Sequence, residues 1–456
     1  MLAIWGLLII VIFMTLIMTK KATPFTSLVL SPIVVALVAG LFGHLPLDAI
    51  AGDALAGVKG VAPTVVMLTF AIFYFGLMLT AGLFDPLVGF ILRIVKGDPM
   101  KVMIGTALLA LAVSMDGDGA TTTMVVCTAM IPVYKRLNMK MMDLAVIIIM
   151  SNSIMNLLPW GGPTARIIAA LGVDTGELTR RIIPGMFLAA IWVIIVAFFR
   201  GRAERARLGI VEIDHASMAE EEEVDPVEAA LKRPRMLIPN LILTIILLIT
   251  LIFGGLWFIP KIHASILFEV GFAIALVLNY RLLKDQRQII EIHAANVMQV
   301  TTMVMAAGIF MGILNAAGQD SKAEGFTSMS IEMGKAMGNI VPDFLMNSWP
   351  LMVALISIPG TFLLSNDAFY MGVLPVLNAT GIEHGFEPMH MAIASTTGQA
   401  FHLLSPLVGF IYLLLNLTKV DMGEWQRTAG KWSIGSFIAF CIGAFTLGGV
   451  PLVLGS

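Results

Sequence analysis

Three carboxylates and one guanidinium, each set among glycines, prolines and hydroxyls, are the residues of this chain best placed to do chemistry. The stretch Ser114-Met-Asp-Gly-Asp-Gly-Ala-Thr-Thr-Thr123 puts Asp116 and Asp118 between glycines and just ahead of three hydroxyls. Gly117 and Gly119 permit a tight turn, and Thr121 to Thr123 can cap the helix that follows. Free N–H groups at such a helix start attract anions. The carboxylates argue for the opposite ligand, because at membrane depth they must be paired, protonated or bound to a metal. One of the two can serve as a helix cap, but both doing so is not expected. Glycine-spaced aspartates also occur in calcium loops, yet the bidentate glutamate of such a loop is missing.

A second cluster reads Ser151-Asn-Ser153, Asn156, then Pro159-Trp-Gly-Gly-Pro-Thr-Ala-Arg166. Two prolines and two glycines within five residues remove helix hydrogen bonds and free carbonyls to line a cavity. Asn156, Gly161, Gly162 and Thr164 are the candidate binding positions there. Arg166 can clamp a substrate carboxylate bidentately, or pair with Asp116 or Asp118. Further on come Ser365-Asn-Asp367, then Thr396-Thr-Gly-Gln-Ala-Phe-His402 and Ser405-Pro406. Asp367 and His402 are titratable, which suits proton coupling; His402 can equally be a satisfied structural donor.

The elements that must position these groups are membrane helices. Hydrophobic residues make up 58% of the 456 and charged residues only 13%, against roughly 25% charge in an ordinary soluble domain. Mean hydropathy is +0.92. The apolar stretches are continuous rather than alternating, which predicts helices and excludes a barrel. Basic residues sit in short loops, so nucleic acid is not a partner, and the net charge of −2 adds nothing. Cys127 and Cys441 both lie in apolar segments and support neither a disulfide framework nor a thiolate metal site. The 31 methionines show no ligand spacing and read as packing. The first span lacks a basic leader and a small-residue cleavage site, so it is expected to be retained.

Plain or broken spans are predicted at 2–18, 24–43, 62–84, 140–172, 178–199, 237–259, 263–280, 295–316, 387–418 and 430–453. Two more apolar stretches, 101–134 and 348–380, carry polar clusters in their middles. With Lys20 and Lys21 inside, Arg93, Lys96, Lys101, Lys135, Arg136 and Lys140 fall on the same side, as do Arg281, Lys284, Arg287, Lys419, Arg427 and Lys431. The outer side keeps Lys59, Arg180, Arg181, Lys261, Lys322 and Lys335. This satisfies the positive-inside rule only if both interrupted stretches are re-entrant hairpins. Each half then crosses an odd number of times, and the second is inverted.

The expected fold is therefore an all-α polytopic membrane protein of two inverted-topology repeats, each with a re-entrant helical hairpin and a broken transmembrane helix. The N-terminal repeat is 1–200, a solvated cytoplasmic linker with the acidic run Glu220 to Glu223 is 201–235, and the C-terminal repeat is 236–456. Internal spacing agrees. Thr122 lies ten residues before Pro132 and Ser365 ten before Pro375. Pro132 to Asn156 is 24 residues and Pro375 to His402 is 27. Paired interruptions in inverted halves point to a midplane site in a secondary carrier.

The motifs Ser114-Met-Asp-Gly-Asp-Gly-Ala-Thr-Thr, Leu158-Pro-Trp-Gly-Gly-Pro-Thr-Ala-Arg166, Leu364-Ser-Asn-Asp-Ala-Phe-Tyr370 and His402-Leu-Leu-Ser-Pro-Leu407 resemble the CitMHS family of metal-citrate transporters, over essentially the whole chain. The resemblance implies proton-coupled uptake of citrate complexed to a divalent metal, Mg²⁺ or Ca²⁺, by a multi-pass protein of the bacterial inner membrane. It further implies the ion transporter superfamily, whose dicarboxylate carriers dimerise and move by an elevator mechanism; a homodimer is expected by that analogy. Those sodium-coupled relatives carry Ser-Asn-Thr at both hairpin tips. Here the tips are Asp-Gly-Asp-Gly and Ser-Asn-Asp, so sodium sites do not carry over.

The expected assignment follows. Thr121, Thr122, Asn156, Gly161, Gly162, Thr164, Arg166, Ser365, Asn366, His402 and Ser405 bind the organic anion; Asp116, Asp118 and Asp367 meet the metal or the proton. No cofactor is permanently bound, the metal travelling as cargo, and the protein is not an enzyme. Three rivals stand beside this reading. One is a carrier of free di- or tricarboxylate, gluconate or lactate on the same fold; another is a membrane hydrolase using Asp116 and Asp118. The third is a channel.

Overall fold

The computed structural model describes residues 1–95, 97–210, 230–256, 259–316 and 327–453. Lys96, Lys322, the run Glu220 to Glu223 and most of the predicted linker lie outside the described residues.

Side chains ahead of the apolar runs start several of the helices. Thr23 accepts the Thr26 N–H at the head of Pro24–Leu41, Asp98 caps Pro99–Val113, Asp174 caps Thr175–Leu208, and Asp421 caps Met422–Ile442. Proline at the first helical position, as at Pro24 and Pro99, loses no hydrogen bond there. All ten predicted plain or broken spans coincide with helical segments, but three helices run well past the predicted limits. Ile50–Thr80, Thr175–Leu208 and Leu283–Asn315 have 31, 34 and 33 residues, and a 34-residue helix is about 51 Å long against a hydrocarbon core of about 30 Å. Charges such as Lys59, Arg205 and Lys284, all exposed, end the apolar stretch without ending the helix, since a helix continues freely into water.

Among the described residues seven helical stretches are long and apolar enough to cross a membrane. One of them, Pro99–Asp116, is an arm of the first hairpin, so length alone does not separate span from hairpin. The hairpins themselves are Pro99–Val113 with Gly119–Arg136, and Trp349–Leu363 with Ala368–Glu383, whose first six residues are π-helical. The broken helices are Met141–Met155 with Gly162–Leu171, and Pro388–Thr396 with Gln399–His402 and Gly409–Thr418. An amphipathic helix precedes each hairpin, Asp85–Val95 in the first case and Met329–Gly338 in the second.

Apolar packing divides these elements into two bodies. One core gathers the hairpins, broken helices and closing helices of both halves, from Ile91 to Ala197 and from Met346 to Val450. The other gathers the plain spans, from Ile9 to Ala81 and from Leu231 to Met333. Trp160, Ala165, Ala368 and Met371 reach from the first set of elements into the second core. Within the plain-span body, Ile50–Thr80 and Leu283–Asn315 cross with backbones touching. A Cβ on Gly57 would stand 2.0 Å from the Gly308 carbonyl oxygen, so no larger residue fits the crossing. Asn240 and Asn279 exchange two amide hydrogen bonds at 2.9 and 2.8 Å, the usual way to bury a polar pair between spans.

At the described ends of the expected solvated linker most residues are exposed and a few are anchored against the helices. Gly201 and Glu204 are buried in the last turns of Thr175–Leu208. Arg233 donates its N–H to the Ala81 carbonyl and stacks over Tyr280 at 4.6 Å.

Candidate functional site

The first hairpin turns through a single 3-10 turn, Ser114–Asp116, and then through Gly117 at φ 81°, a conformation that costs a non-glycine residue strain. Asp118 follows in extended backbone and caps Gly119–Arg136 with both oxygens. Its Oδ1 accepts the Ala120 N–H at 3.2 Å, and its Oδ2 accepts the Thr121 N–H at 3.0 Å and the Thr121 hydroxyl at 2.5 Å. Asp116 Oδ1 accepts the Asp118 N–H at 3.0 Å. Only Asp118 caps the helix, as expected of at most one of the two, while Asp116 braces the turn ahead of it. The difference is that Asp118 has both oxygens engaged, whereas Asp116 has only Oδ1 engaged and keeps Oδ2 for another partner.

The first broken helix is held open from several directions. Gly161 passes so close to the end of Met141–Met155 that a Cβ would stand 1.9 Å from the Asn156 carbonyl oxygen. Thr164 Oγ1 donates to the Leu157 carbonyl at 2.8 Å, satisfying an acceptor that the break leaves without its helical donor. Trp160 Nε1–H reaches back to the Met115 carbonyl at 2.7 Å and fastens the hairpin tip to the break. The same indole stacks on Phe75 of the plain-span body, with ring centroids 4.3 Å apart.

Arg166 joins the two halves. Its Nε donates to Asp367 Oδ1 at 2.7 Å, and its Nη1 donates to the Gly162 carbonyl at 2.9 Å. The expected pairing with Asp116 or Asp118 is not formed. Those carboxylates are turned toward backbone N–H groups of their own turn, and the tip of the second hairpin brings Asp367 to the guanidinium instead. Both partners are mostly sheltered, with 17% and 13% of their side-chain surfaces exposed.

At the second hairpin Ser365 Oγ accepts the Ala368 N–H at 3.2 Å and starts the returning arm. Asn366 Oδ1 accepts from Gln399 Nε2 at 3.0 Å, which ties the tip to the second break. Gln399 Nε2 also donates to the Tyr370 hydroxyl, which in turn donates to the Ser395 carbonyl. His402 is buried, with Nδ1 2.7 Å from the Thr361 carbonyl. A carbonyl can only accept, so Nδ1 carries the hydrogen, and in the neutral ring Nε2 keeps the lone pair. Ser405 Oγ accepts the Leu407 N–H at 3.2 Å.

The two junctions differ in how far they satisfy themselves. Around the first tip, buried Ser114 Oγ, Thr122 Oγ1, Thr123 Oγ1, Ser151 Oγ and Asn152 Nδ2 have no protein partner. At the second tip and break the only such atom among the described residues is Gln399 Oε1. Buried polar groups are normally paired, so the first junction, with Asp116 in it, has the character of a polar ligand site. Gln399, Tyr370, Thr361 and Trp160 were not among the predicted site residues. Each lay within or beside a motif already singled out, but neutral side chains carry no charge signal to distinguish them.

Comparison with known proteins agrees with this architecture. The family model for citrate transporters, CitMHS, matches residues 13–398. The chain is 43% identical over 451 residues to a protein of Bacillus subtilis (strain 168) named as a citrate transporter, covering 98% of this chain and 99% of that one. It is 42% identical over 453 residues to another from the same organism, named as a Mg(2+)/citrate complex secondary transporter, covering 99% and 100%. Among solved structures, the YdaH transporter of Alcanivorax borkumensis, described as having an unusual topology, superposes with a TM-score of 0.59 at 16% identity, covering 88% of both chains. That likeness is one of fold. The relatives are transporters rather than enzymes, which removes the hydrolase reading. With nearly the whole chain matched and identities above two in five, the protein belongs to the citrate transporter family.

Proposed function

We propose that the protein is a secondary active transporter that carries citrate complexed with Mg²⁺ or Ca²⁺ in symport with protons. The observation that carries this reading is the Arg166–Asp367 pair, held where the broken helix of one half meets the hairpin tip of the other. A metal–citrate complex presents both signs of charge. A guanidinium suits its carboxylates, and carboxylate oxygens suit its hard cation. Among the described residues no three His, Cys, Asp or Glu side chains converge to cage a metal ion. In this reading the cation is cargo, with citrate supplying most of its ligands and Asp116 or Asp367 completing them.

The division into two cores supports an elevator. The hairpin body would carry the site past the plain-span body, sliding on contacts such as Trp160 against Phe75 and Phe268. Inverted repeats at 1–200 and 236–456, a homodimer and an inner-membrane location complete the proposal.

Counterflow in proteoliposomes tests it. Labelled citrate should accumulate with Mg²⁺ or Ca²⁺ outside, fail to do so after chelation, and carry protons inward. Uptake that survives chelation would make free di- or tricarboxylate the cargo.

A further inference from the structure

Away from the helix breaks, a cavity of about 540 Å³ opens between the two bodies. Gly60, Pro63 and Met67 of the plain-span body line one wall, and Ile168 and Gly172 of the hairpin body line the other. Its charged lining residues are Asp174, Arg180 and Lys261, with His263 beside them. Lys261 Nζ lies 3.8 Å from Asp174 Oδ2, bridging the bodies. Asp174 is already employed, since its Oδ1 caps Thr175–Leu208 by accepting the Glu177 N–H at 2.8 Å. Glu177 is likewise taken by Arg181 at 2.6 Å. Arg180 has no acidic partner among the described residues. The wall is closely fitted as well: a Cβ on Gly176 would stand 3.3 Å from the Leu251 carbonyl oxygen.

We infer that this cavity is an outer capture site for polycarboxylate anions, in which Arg180 and Lys261 hold the anion before it reaches the helix breaks. The identification of the anion rests on the cargo proposed above, and the outer placement on the sparse basic residues of that face. Three features bear the inference. The cavity carries two cations against one acid, and that acid is committed to a helix cap. The Lys261–Asp174 contact is long and exposed, so it contributes little to stability, and an arriving carboxylate can replace Asp174 at the ammonium. The cavity also spans both bodies, so an anion bridging Arg180 and Lys261 sits across the surfaces that must slide.

The test is initial citrate uptake at low and high ionic strength by wild type, Arg180→Gln, Lys261→Gln and the double variant. The double variant should raise KM about tenfold at low salt, the scale of electrostatic steering into a charged cleft, with Vmax unchanged. The gap should close at high salt, and Arg180→Lys should behave as wild type. Equal KM at low salt in wild type and double variant would overturn the inference. An Arg180→Cys variant, with Cys441 replaced by serine and Cys127 buried, guards against misfolding. Modification by a cationic thiol reagent should restore KM, and an anionic reagent should raise it further. If wild type carries no citrate, the cargo reading has failed, and the cavity is judged separately. The Arg180→Cys thiol should then react faster with anionic than with cationic reagent, and Lys261→Gln should abolish that preference. No preference would overturn the inference.

Discussion

Arg166 and Asp367 lie 201 positions apart in the chain and share a 2.7 Å hydrogen-bonded ion pair. The pair is the only ion pair among the described residues that joins a helix break of the first half to a hairpin tip of the second. Removing one partner of a sheltered pair strands the other charge, at a cost of about 3–5 kcal/mol, whereas replacing both by apolar groups of similar size is often neutral. Arg166→Met and Asp367→Leu should therefore each lower the thermal midpoint in detergent. The double variant should regain much of the midpoint while citrate uptake stays lost, because Arg166 is also the proposed carboxylate ligand. Uptake by the double variant near wild type would reduce the pair to a structural brace.

The two aspartates of the first tip should separate under the same substitution. Asp118 spends both oxygens on the start of Gly119–Arg136, and asparagine is nearly as good a cap. Asp118→Asn should keep most of the uptake, while Asp118→Ala should cost about 1 kcal/mol of stability. Asp116→Asn removes the charge from the carboxylate that keeps an oxygen free, and should abolish metal–citrate uptake with the thermal midpoint little changed. If Asp116→Asn, Asp118→Asn and Asp367→Asn all transported like wild type, the acidic tips would have no part in the cargo site.

Much of this arrangement was legible in the residues themselves, because hydropathy and helix breakers act locally. Both hairpins and both broken helices fall within a few residues of their predicted limits. Helix lengths were less legible, since Arg205 or Lys59 signals where hydrocarbon ends and not where backbone hydrogen bonding ends. Partner choice was not legible at all. The sequence offered Arg166 the pair Asp116 and Asp118, and the structure gives it Asp367. The choice of Asp367 depends on where two elements some two hundred positions apart come together, and on the N–H groups of its own turn claiming Asp118. Neutral linkers such as Gln399 and Trp160 were missed for a related reason: their hydrogen bonds follow from packing, which spacing does not encode.

His402 offers a way to tell a brace from a ligand within one ring. Nδ1 is engaged by the Thr361 carbonyl at 2.7 Å, a bond that an asparagine amide can reproduce. The Nε2 side of the ring has no such substitute in asparagine. His402→Asn should keep the stability within about 1 kcal/mol of wild type, the ordinary net worth of one hydrogen bond, and yet depress citrate uptake strongly. His402→Ala should lose both. An asparagine variant that transports as wild type does would confine the histidine to its bond with Thr361.

The two glycines that flank Gly162–Leu171, Gly161 in the first break and Gly172 at the far end, predict opposite outcomes for the same added methyl. At Gly161 a Cβ would meet the Asn156 carbonyl oxygen at 1.9 Å, and that oxygen belongs to backbone that Thr164 and Trp160 hold from neighbouring positions. The break cannot yield without disturbing Arg166, whose Nη1 is bonded to the next residue's carbonyl. Gly161→Ala should therefore abolish uptake and lower the thermal midpoint by several degrees, the size of shift expected for a loss of several kcal/mol in a chain this long. At Gly172 nothing lies within 4 Å of the added atom, and only the left-handed φ of 65° opposes it. Gly172→Ala should cost about 1–2 kcal/mol and lower citrate uptake far less than Gly161→Ala does. Measuring both variants side by side by thermal unfolding and counterflow checks the geometry of the break independently of any assignment of cargo; equal tolerance of the two would show that the break is not held as described.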